Sequence, residues 1–271
     1  MEDRMQRQRF EKKYFVTQKQ VPQIREYLDS HLEMDPYSAG PPPHPYPIYS
    51  IYLDSIDLKT YWATVHCQVS RFKLRVRYYD DNPKSPLFFE LKGRKNECVT
   101  KRRAMVRRSA GAALLAGELP GPEHLLKNTP EQLASLQQFC ELTQRIRAHP
   151  MMLVAYHREA WLSAVNNSVR VTLDRQVRGI PLQEASFTTQ MPKPVYPFLN
   201  TIYPERDMVV LELKFTNRFP GWFQDLVEHF DLAQTGAAKY CGSVLLAGEE
   251  RVGQAAHRFR QQELSSVRYA G

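Results

Sequence analysis

Apolar and polar residues alternate with a period of two along much of this chain, the pattern of half-buried strands. In Arg71–Tyr79, Lys73, Arg75 and Arg77 fall on one face, and Phe72, Leu74, Val76 and Tyr78 on the other. The division recurs where Glu90 and Lys92 oppose Phe89 and Leu91, and where Arg170, Thr172 and Asp174 oppose Val169, Val171 and Leu173. Glu212 and Lys214 likewise oppose Val209, Leu211, Leu213 and Phe215. Arg9, Glu11 and Lys13 share a face, as do Lys101 and Arg103. The patterning predicts eight strands, at residues 9–16, Tyr49–Ser55, Arg71–Tyr79, Pro86–Lys92, Val99–Arg108, Met152–Ser163, Val169–Val177 and Asp207–Phe215.

Helical spacing predicts a helix capped by Thr17 and carrying Ile24, Leu28 and Leu32. Others are expected at 57–66, at 131–147 on Leu133, Leu136, Phe139, Leu142 and Ile146, and at 219–230. Asp35–Pro47 holds six prolines and reads as a loop, and Ile180–Pro204 as a charge-poor connection. This order of elements predicts one α+β domain over residues 1–248, followed by a polar, weakly amphipathic tail at 249–271.

A half-exposed sheet also alternates, with its polar face in water. Here, however, the polar faces carry mostly Arg and Lys, and the opposite faces are apolar enough to need the helices as cover. An eight-stranded antiparallel β-barrel, with helices packed outside and charges pointing inward, satisfies both facts. Such a lumen repels itself unless a polyanion and a divalent metal occupy it. Guanidinium forks match phosphate oxygens, while Glu11, Glu90 and Glu212 are hard oxygen ligands suited to Mg²⁺ or Mn²⁺.

The 271 residues carry a formal charge of +8, which matters only because it is concentrated on these strands. P-loop, Rossmann and nucleophile-elbow motifs are absent, and the eight histidines include no pair at zinc spacing. His157 falls on the face opposite Arg158 and reads as a packed histidine. Cys241, near Lys239, reads as a structural thiol. The four cysteines are far apart, without CxxC, so free thiols in a reducing cytoplasm are expected. No secretory signal is expected at the amino end, and no apolar run is long enough for a membrane helix. Phe72, Phe88, Phe89 and Phe215 are taken to alternate away from the charges; nucleic-acid binding through stacked bases is therefore not expected.

The runs Arg9-x-Glu11-x-Lys13, IYLDSIDLKTY (Ile51–Tyr61), LRVRYYD (Leu74–Asp80), FFELKGR (Phe88–Arg94) and VTKRR (Val99–Arg103) recur in one known family, as do AYHREAW (Ala155–Trp161), VRVTLD (Val169–Asp174), VLELKF (Val210–Phe215) and AKYCGS (Ala238–Ser243). In their order, over residues 9–245, the chain resembles the VTC domain, the polyphosphate polymerase domain of the triphosphate tunnel (CYTH) superfamily. The resemblance implies an eight-stranded tunnel in which the γ-phosphate of ATP passes to a growing inorganic polyphosphate chain with Mn²⁺ or Mg²⁺. It implies phosphate contacts from Lys13, Arg75, Arg77, Lys92, Lys101, Arg158, Arg170 and Lys239, with Glu212 as principal metal ligand and Glu11 or Glu90 assisting. Arg75, Arg77, Arg158 and Arg170 would stabilise the transferring phosphoryl group, and Lys73, Arg103 and Lys214 share the phosphate-holding faces.

Two departures stand out. Arg9 occupies the first position of the superfamily's E-x-E-x-K, which removes one carboxylate, and the chain carries neither an SPX domain nor membrane helices. By family analogy a separate membrane protein would be a partner, with this chain peripheral at the inner face of a membrane. The alternatives are a metal-dependent triphosphatase acting on nucleoside triphosphate or tripolyphosphate, and a non-catalytic polyanion-binding barrel.

Overall fold

In the computed structural model, residues 9–38, 44–96, 98–164, 168–182, 185–190, 208–216 and 218–253 are described. The expected tail beyond 253, most of the 180–204 connection, the centre of the proline loop and the side chain of Arg9 lie outside them.

Alternation has produced strands at all eight expected places. They are β1 (Arg9–Thr17), β3 (Tyr46–Asp54), β4 (Ser70–Tyr78), β5 (Leu87–Lys95), β6 (Cys98–Val106), β7 (His149–Leu162), β8 (Val169–Pro181) and β9 (Met208–Thr216). A ninth, β2 (Glu33–Met34), is too short to show alternation and pairs with the end of β7. The sheet runs β1-β9-β8-β7-β3-β4-β5-β6, with every neighbouring pair antiparallel.

This order gives the expected antiparallel sheet without its closure. The hydrogen-bonded path begins at β1 and ends at β6, and no ladder joins those two strands among the described residues. The sheet nonetheless curls until β1 lies near β6, and Glu11 on β1 accepts a hydrogen bond at 2.9 Å from Lys92 on β5, the strand beside that edge. Alternation dictates which face a side chain takes, but it carries no information on whether two edge strands pair. The edge strand β6 presents Lys101, Arg102 and Arg103, and such charge discourages pairing with another strand.

Helices cover the convex face. The helix α1 (Val21–Asp29) buries Val21, Ile24 and Leu28, while α5 (Gly221–His229) buries Phe223 and Leu226. Both pack on Tyr14, Val16, Trp161, Leu173, Leu211 and Leu213. The helix α4 (Pro130–Arg145) starts where the Thr129 hydroxyl accepts the Gln132 N–H and Pro130 fills the first turn. Its Leu136 and Phe139 cover Leu74, Val76, Phe89 and Val106.

Two further helices shape one end of the sheet. The run IYLDSIDLKTY forms the end of β3 and the start of α2 (Lys59–Val65), joined by buried Asp54. Its carboxylate accepts from the Thr60 N–H and hydroxyl and from the Tyr61 N–H, at 2.8–2.9 Å, and so caps α2. It also accepts from the Tyr240 hydroxyl at 2.8 Å, which ties in α6 (Lys239–Ala247). The short α3 (Gly111–Leu115) lies in the chain between β6 and α4.

Helix α6 does not join the outer layer. Tyr240, Val244 and Ala247 pack on Ile48, Tyr52, Met152, Val154 and Val177, which lie on the concave side. A bulge at Gln176, in left-handed conformation, brings Val177 and Gly179 onto that side, and Ser243 sits directly over Gly179. One half of the concave face is thus apolar and lidded by α6. The other half is charged and open.

Candidate active site

Register decides which charges meet. Arg75 on β4 lies opposite Tyr52 on β3 and Glu90 on β5, and Glu90 lies opposite Arg103 on β6. Lys73, Lys92 and Lys101 form a row one step along the same strands. Across the sheet, Glu212 on β9 lies between Lys13 on β1 and Thr172 on β8, and Arg158 on β7 opposite Asp174 on β8.

The side chains form two nests, each built on a buried carboxylate. In the first, Glu212 accepts hydrogen bonds from Lys214 at 2.5 Å, Lys239 at 2.8 Å and Arg158 at 3.3 Å, with Lys13 at 3.7 Å. Asp174 takes both nitrogens of Arg158 at 2.6 Å and Lys239 at 2.6 Å. Glu11 joins through Lys13, at 3.1 Å, and leads to Lys92. Burial alone would raise the Glu212 carboxyl, but Lys214, Lys239, Lys13 and Arg158 hold it well below the usual range. Glu11 is likewise lowered against burial by Lys92 and Lys13.

The second nest surrounds Glu90. It accepts from Arg75 Nε at 2.7 Å and Arg103 Nε at 2.6 Å, and pairs with Lys101 at 2.7 Å. Burial opposes its charge, yet these cations keep it ionised, well below the usual carboxylate range. Desolvation and the neighbouring arginines outweigh Glu90 at Lys101, which is lowered to about 6. Arg75 also donates to the Tyr52 hydroxyl at 3.2 Å. Burial would raise that phenol, but Arg75 and Lys73 bring it down to about 8.

Arg77 differs from the other arginines. It is only 5% exposed, and its partners are two hydroxyls, Ser50 at 3.3 Å and Tyr156 at 3.1 Å. Among the described residues it forms no ion pair with a carboxylate. Lys73 is similar, reaching the Cys241 sulfur at 3.6 Å and lying over the Tyr240 ring, within a buried setting that lowers its pKa. Ten cations, Lys13, Lys73, Arg75, Arg77, Lys92, Lys101, Arg103, Arg158, Lys214 and Lys239, therefore surround four carboxylates. The excess positive charge is what an incoming polyanion would neutralise.

Of the expected site residues, the fold brings Lys13, Glu11, Arg158, Glu212, Lys214 and Lys239 into the first nest. It brings Arg75, Glu90, Lys101 and Arg103 into the second, with Lys73, Arg77 and Lys92 between. Arg170 stands apart at the open end, paired with Asp35 at 3.2 Å and 38% exposed. Glu90 stands apart from Glu212, with its oxygens already taken by three cations.

Among the described residues, no three His, Cys, Asp or Glu side chains are grouped to hold a metal by themselves. Glu212 and Glu11, sharing Lys13, and Asp174, sharing Lys239 with Glu212, form a hard-oxygen set. That set fits a Mg²⁺ or Mn²⁺ ion held jointly with phosphate oxygens, as Mg²⁺ usually is, rather than in an all-protein cage.

Sequence reading missed several members. Asp174 was placed on the charged face but given no role, and Ser50, Tyr52 and Tyr156 gave no signal because hydroxyl and ring residues do not mark a strand face. Lys239 came from a short motif, whereas the helix that carries it had no visible pattern. Phe88 is a correction: it shares the face of Glu90, pairs with Arg77, and lies under the Arg103 guanidinium at 4.6 Å from its ring centre. His157 sits on the opposite face, lowered by burial and by Arg178 and Arg175. Cysteines 67, 98, 140 and 241 are free.

The fold was compared with known proteins. A crystal structure described as a candidate adenylate cyclase from Bacillus halodurans is similar, with a TM-score of 0.46 and 10% identity. The match covers 86% of this chain and 96% of that one. No curated protein matches the sequence. The family description VTC domain matches residues 8–247, nearly the whole of the sheet and its helices. The chain therefore belongs to the VTC-domain family.

Proposed function

We propose that the charged half of the concave face binds the phosphates of ATP and passes the terminal phosphoryl group to the end of an inorganic polyphosphate chain. The observation that carries this reading is Arg77, a buried guanidinium that meets hydroxyls and no carboxylate. Burying a charge without a direct carboxylate partner is costly, and an incoming anion would offset that cost.

In the reaction, the bond from the γ-phosphorus to the β,γ-bridging oxygen breaks and its electrons leave with ADP. A terminal oxygen of the acceptor chain forms the new bond to phosphorus. That oxygen is already ionised near neutral pH, so no strong general base is needed. The protein's task is positioning and charge neutralisation. Arg75, Arg77 and Arg158 offer planar donors to the equatorial oxygens, with Arg170 at the entrance. Lys13, Lys73, Lys92, Lys101, Arg103, Lys214 and Lys239 provide the remaining counter-charge. A divalent ion, when bound at Glu212 with Glu11 or Asp174, would supply neutralisation of the phosphate oxygens. Glu90 is better suited to holding Arg75, Lys101 and Arg103 in place than to joining that ion.

Purified protein incubated with ATP and Mn²⁺ tests the reading. Long-chain polyphosphate appearing with ADP is expected. ADP with free phosphate alone would make the protein a hydrolase instead, and unconsumed ATP would leave a binding protein. Arg77→Ala and Glu212→Ala should each lower the rate on the order of 10²-fold or more.

A further inference from the structure

Along one end of the charged face, four aromatic rings stand in a row. Tyr37 follows β2, Tyr46 opens β3, Tyr79 follows β4, and Phe88 lies on β5. Neighbouring ring centres are 6.1 Å apart for Tyr37 and Tyr46, 6.4 Å for Tyr46 and Tyr79, and 5.7 Å for Tyr79 and Phe88. The row meets the cations at two of its rings. Arg103 lies over Phe88, and Arg170 reaches the Tyr46 hydroxyl at 3.4 Å.

This is also the accessible end. Side-chain exposure is 7% for Lys239 at the start of α6, but 37% for Arg103 and 38% for Arg170, and Tyr37 is 78% exposed. A phosphate chain entering here passes the rings before it reaches Arg77 and Glu90. Tyr52 and Tyr156 also lie on this face, but their hydroxyls are taken by Arg75 and Arg77 deep among the charges. Tilted and edge-on contacts leave ring faces for a further flat group, and any base has a π-face to offer.

We infer that Tyr37, Tyr46, Tyr79 and Phe88 form a stacking platform for the base of a nucleoside triphosphate whose phosphates lie among the adjoining cations. The inference rests on the phosphate-binding reading above and adds a means of telling a nucleotide from an inorganic phosphate chain. The bulk of the binding charge is shared by both ligands, so the rings act on the nucleotide alone.

The test is calorimetric titration of the full chain with Mn²⁺–ATP and with Mn²⁺–tripolyphosphate. Tyr79→Ala should lower the ratio of ATP to tripolyphosphate affinity about tenfold, and Tyr79→Trp should restore it. Tyr37→Ala, at an exposed position where folding is not at stake, should lower the same ratio by a smaller factor. An unchanged ratio in both alanine variants, with the parent binding both ligands, overturns the platform and leaves the phosphate site standing. Equal loss of both ligands also overturns it, because the rings would then only support the fold. A parent that binds neither ligand removes the phosphate site and the platform together.

Discussion

Arg158 and Asp174 face each other across β7 and β8 in a two-point ion pair, with both nitrogen–oxygen distances at 2.6 Å. Lys239 bonds the same carboxylate and also Glu212, so a cation from α6 locks two strands' acids together. Each of these acids is buried, and each is kept ionised only by the cations around it.

Acid stability follows from that arrangement. Burial would raise Asp174 and Glu212, but the surrounding cations lower both below their ordinary values. A carboxyl with a depressed folded pKa contributes stability above its unfolded value of about 4. That contribution drains as pH falls toward the folded values. Urea midpoints should therefore drop steeply below about pH 4. Glu212→Gln should lower stability at neutral pH on the order of 3 kcal/mol and make the acid limb shallower. An acid limb of equal steepness in parent and variant would contradict the depressed pKa.

Arg77 should show the opposite sign. Its direct partners are hydroxyls, and Glu90, which acts on its charge, is already paired with Arg75, Lys101 and Arg103, so Arg77→Met removes a desolvation cost and fills the same space with apolar atoms. Without ligand, the variant should melt at or above the parent's temperature. Tripolyphosphate at a hundredfold excess over its dissociation constant should stabilise the parent by about 2.7 kcal/mol, and the variant by much less at that concentration. Thermal melts with and without ligand measure both effects. A variant less stable alone yet equally stabilised by ligand would show that Arg77 is structural.

Anion binding should also take up protons. Lys101 is lowered to about 6 and Lys214 to about 8, in each case chiefly by burial. A phosphate arriving beside either amine favours its charged form. Titrations in buffers of different ionisation enthalpy should reveal net proton uptake with tripolyphosphate near pH 7. Uptake should fall in Lys101→Arg, since a guanidinium is always protonated. A buffer-independent enthalpy in the parent would refute it.

Much of this site could be read in the strands because charge alternates there with a period of two. Lys73, Arg75 and Arg77 keep their expected face, as do Glu212 and Lys214. What was not legible depends on relations between distant segments. That Glu90 sits with Arg103 while Glu212 sits with Lys239 is a matter of register and helix placement. The seam between β1 and β6 is a matter of curvature. Helix α6 was hidden because it is nine residues long, has Gly242 near its centre and no side-chain cap. Its role was visible only in the lone Lys239 of AKYCGS. Asp54 lies in a run that carries the family resemblance, and its part is to cap α2 and hold Tyr240.

The position of α6 offers a last prediction, because a single glycine sets how near it lies to the sheet. A Cβ on Gly179 would come within 2.4 Å of Ser243 Cβ, and Ser243 Cα lies 3.2 Å away, so backbone as well as side chain must move. Gly179→Ala should therefore push α6 off β8 and cost about 1–3 kcal/mol. Because Lys239 is in the first turn of α6, the same shift loosens its bonds to Asp174 and Glu212. Amide exchange at 239–247 should quicken, and tripolyphosphate affinity should fall although no phosphate-contacting residue was changed. Pairing the substitution with Ser243→Gly, which clears the space, should restore both. If Gly179→Ala weakened the fold but left exchange in α6 and ligand affinity at parental values, the helix would be shown not to hold Lys239 in the site.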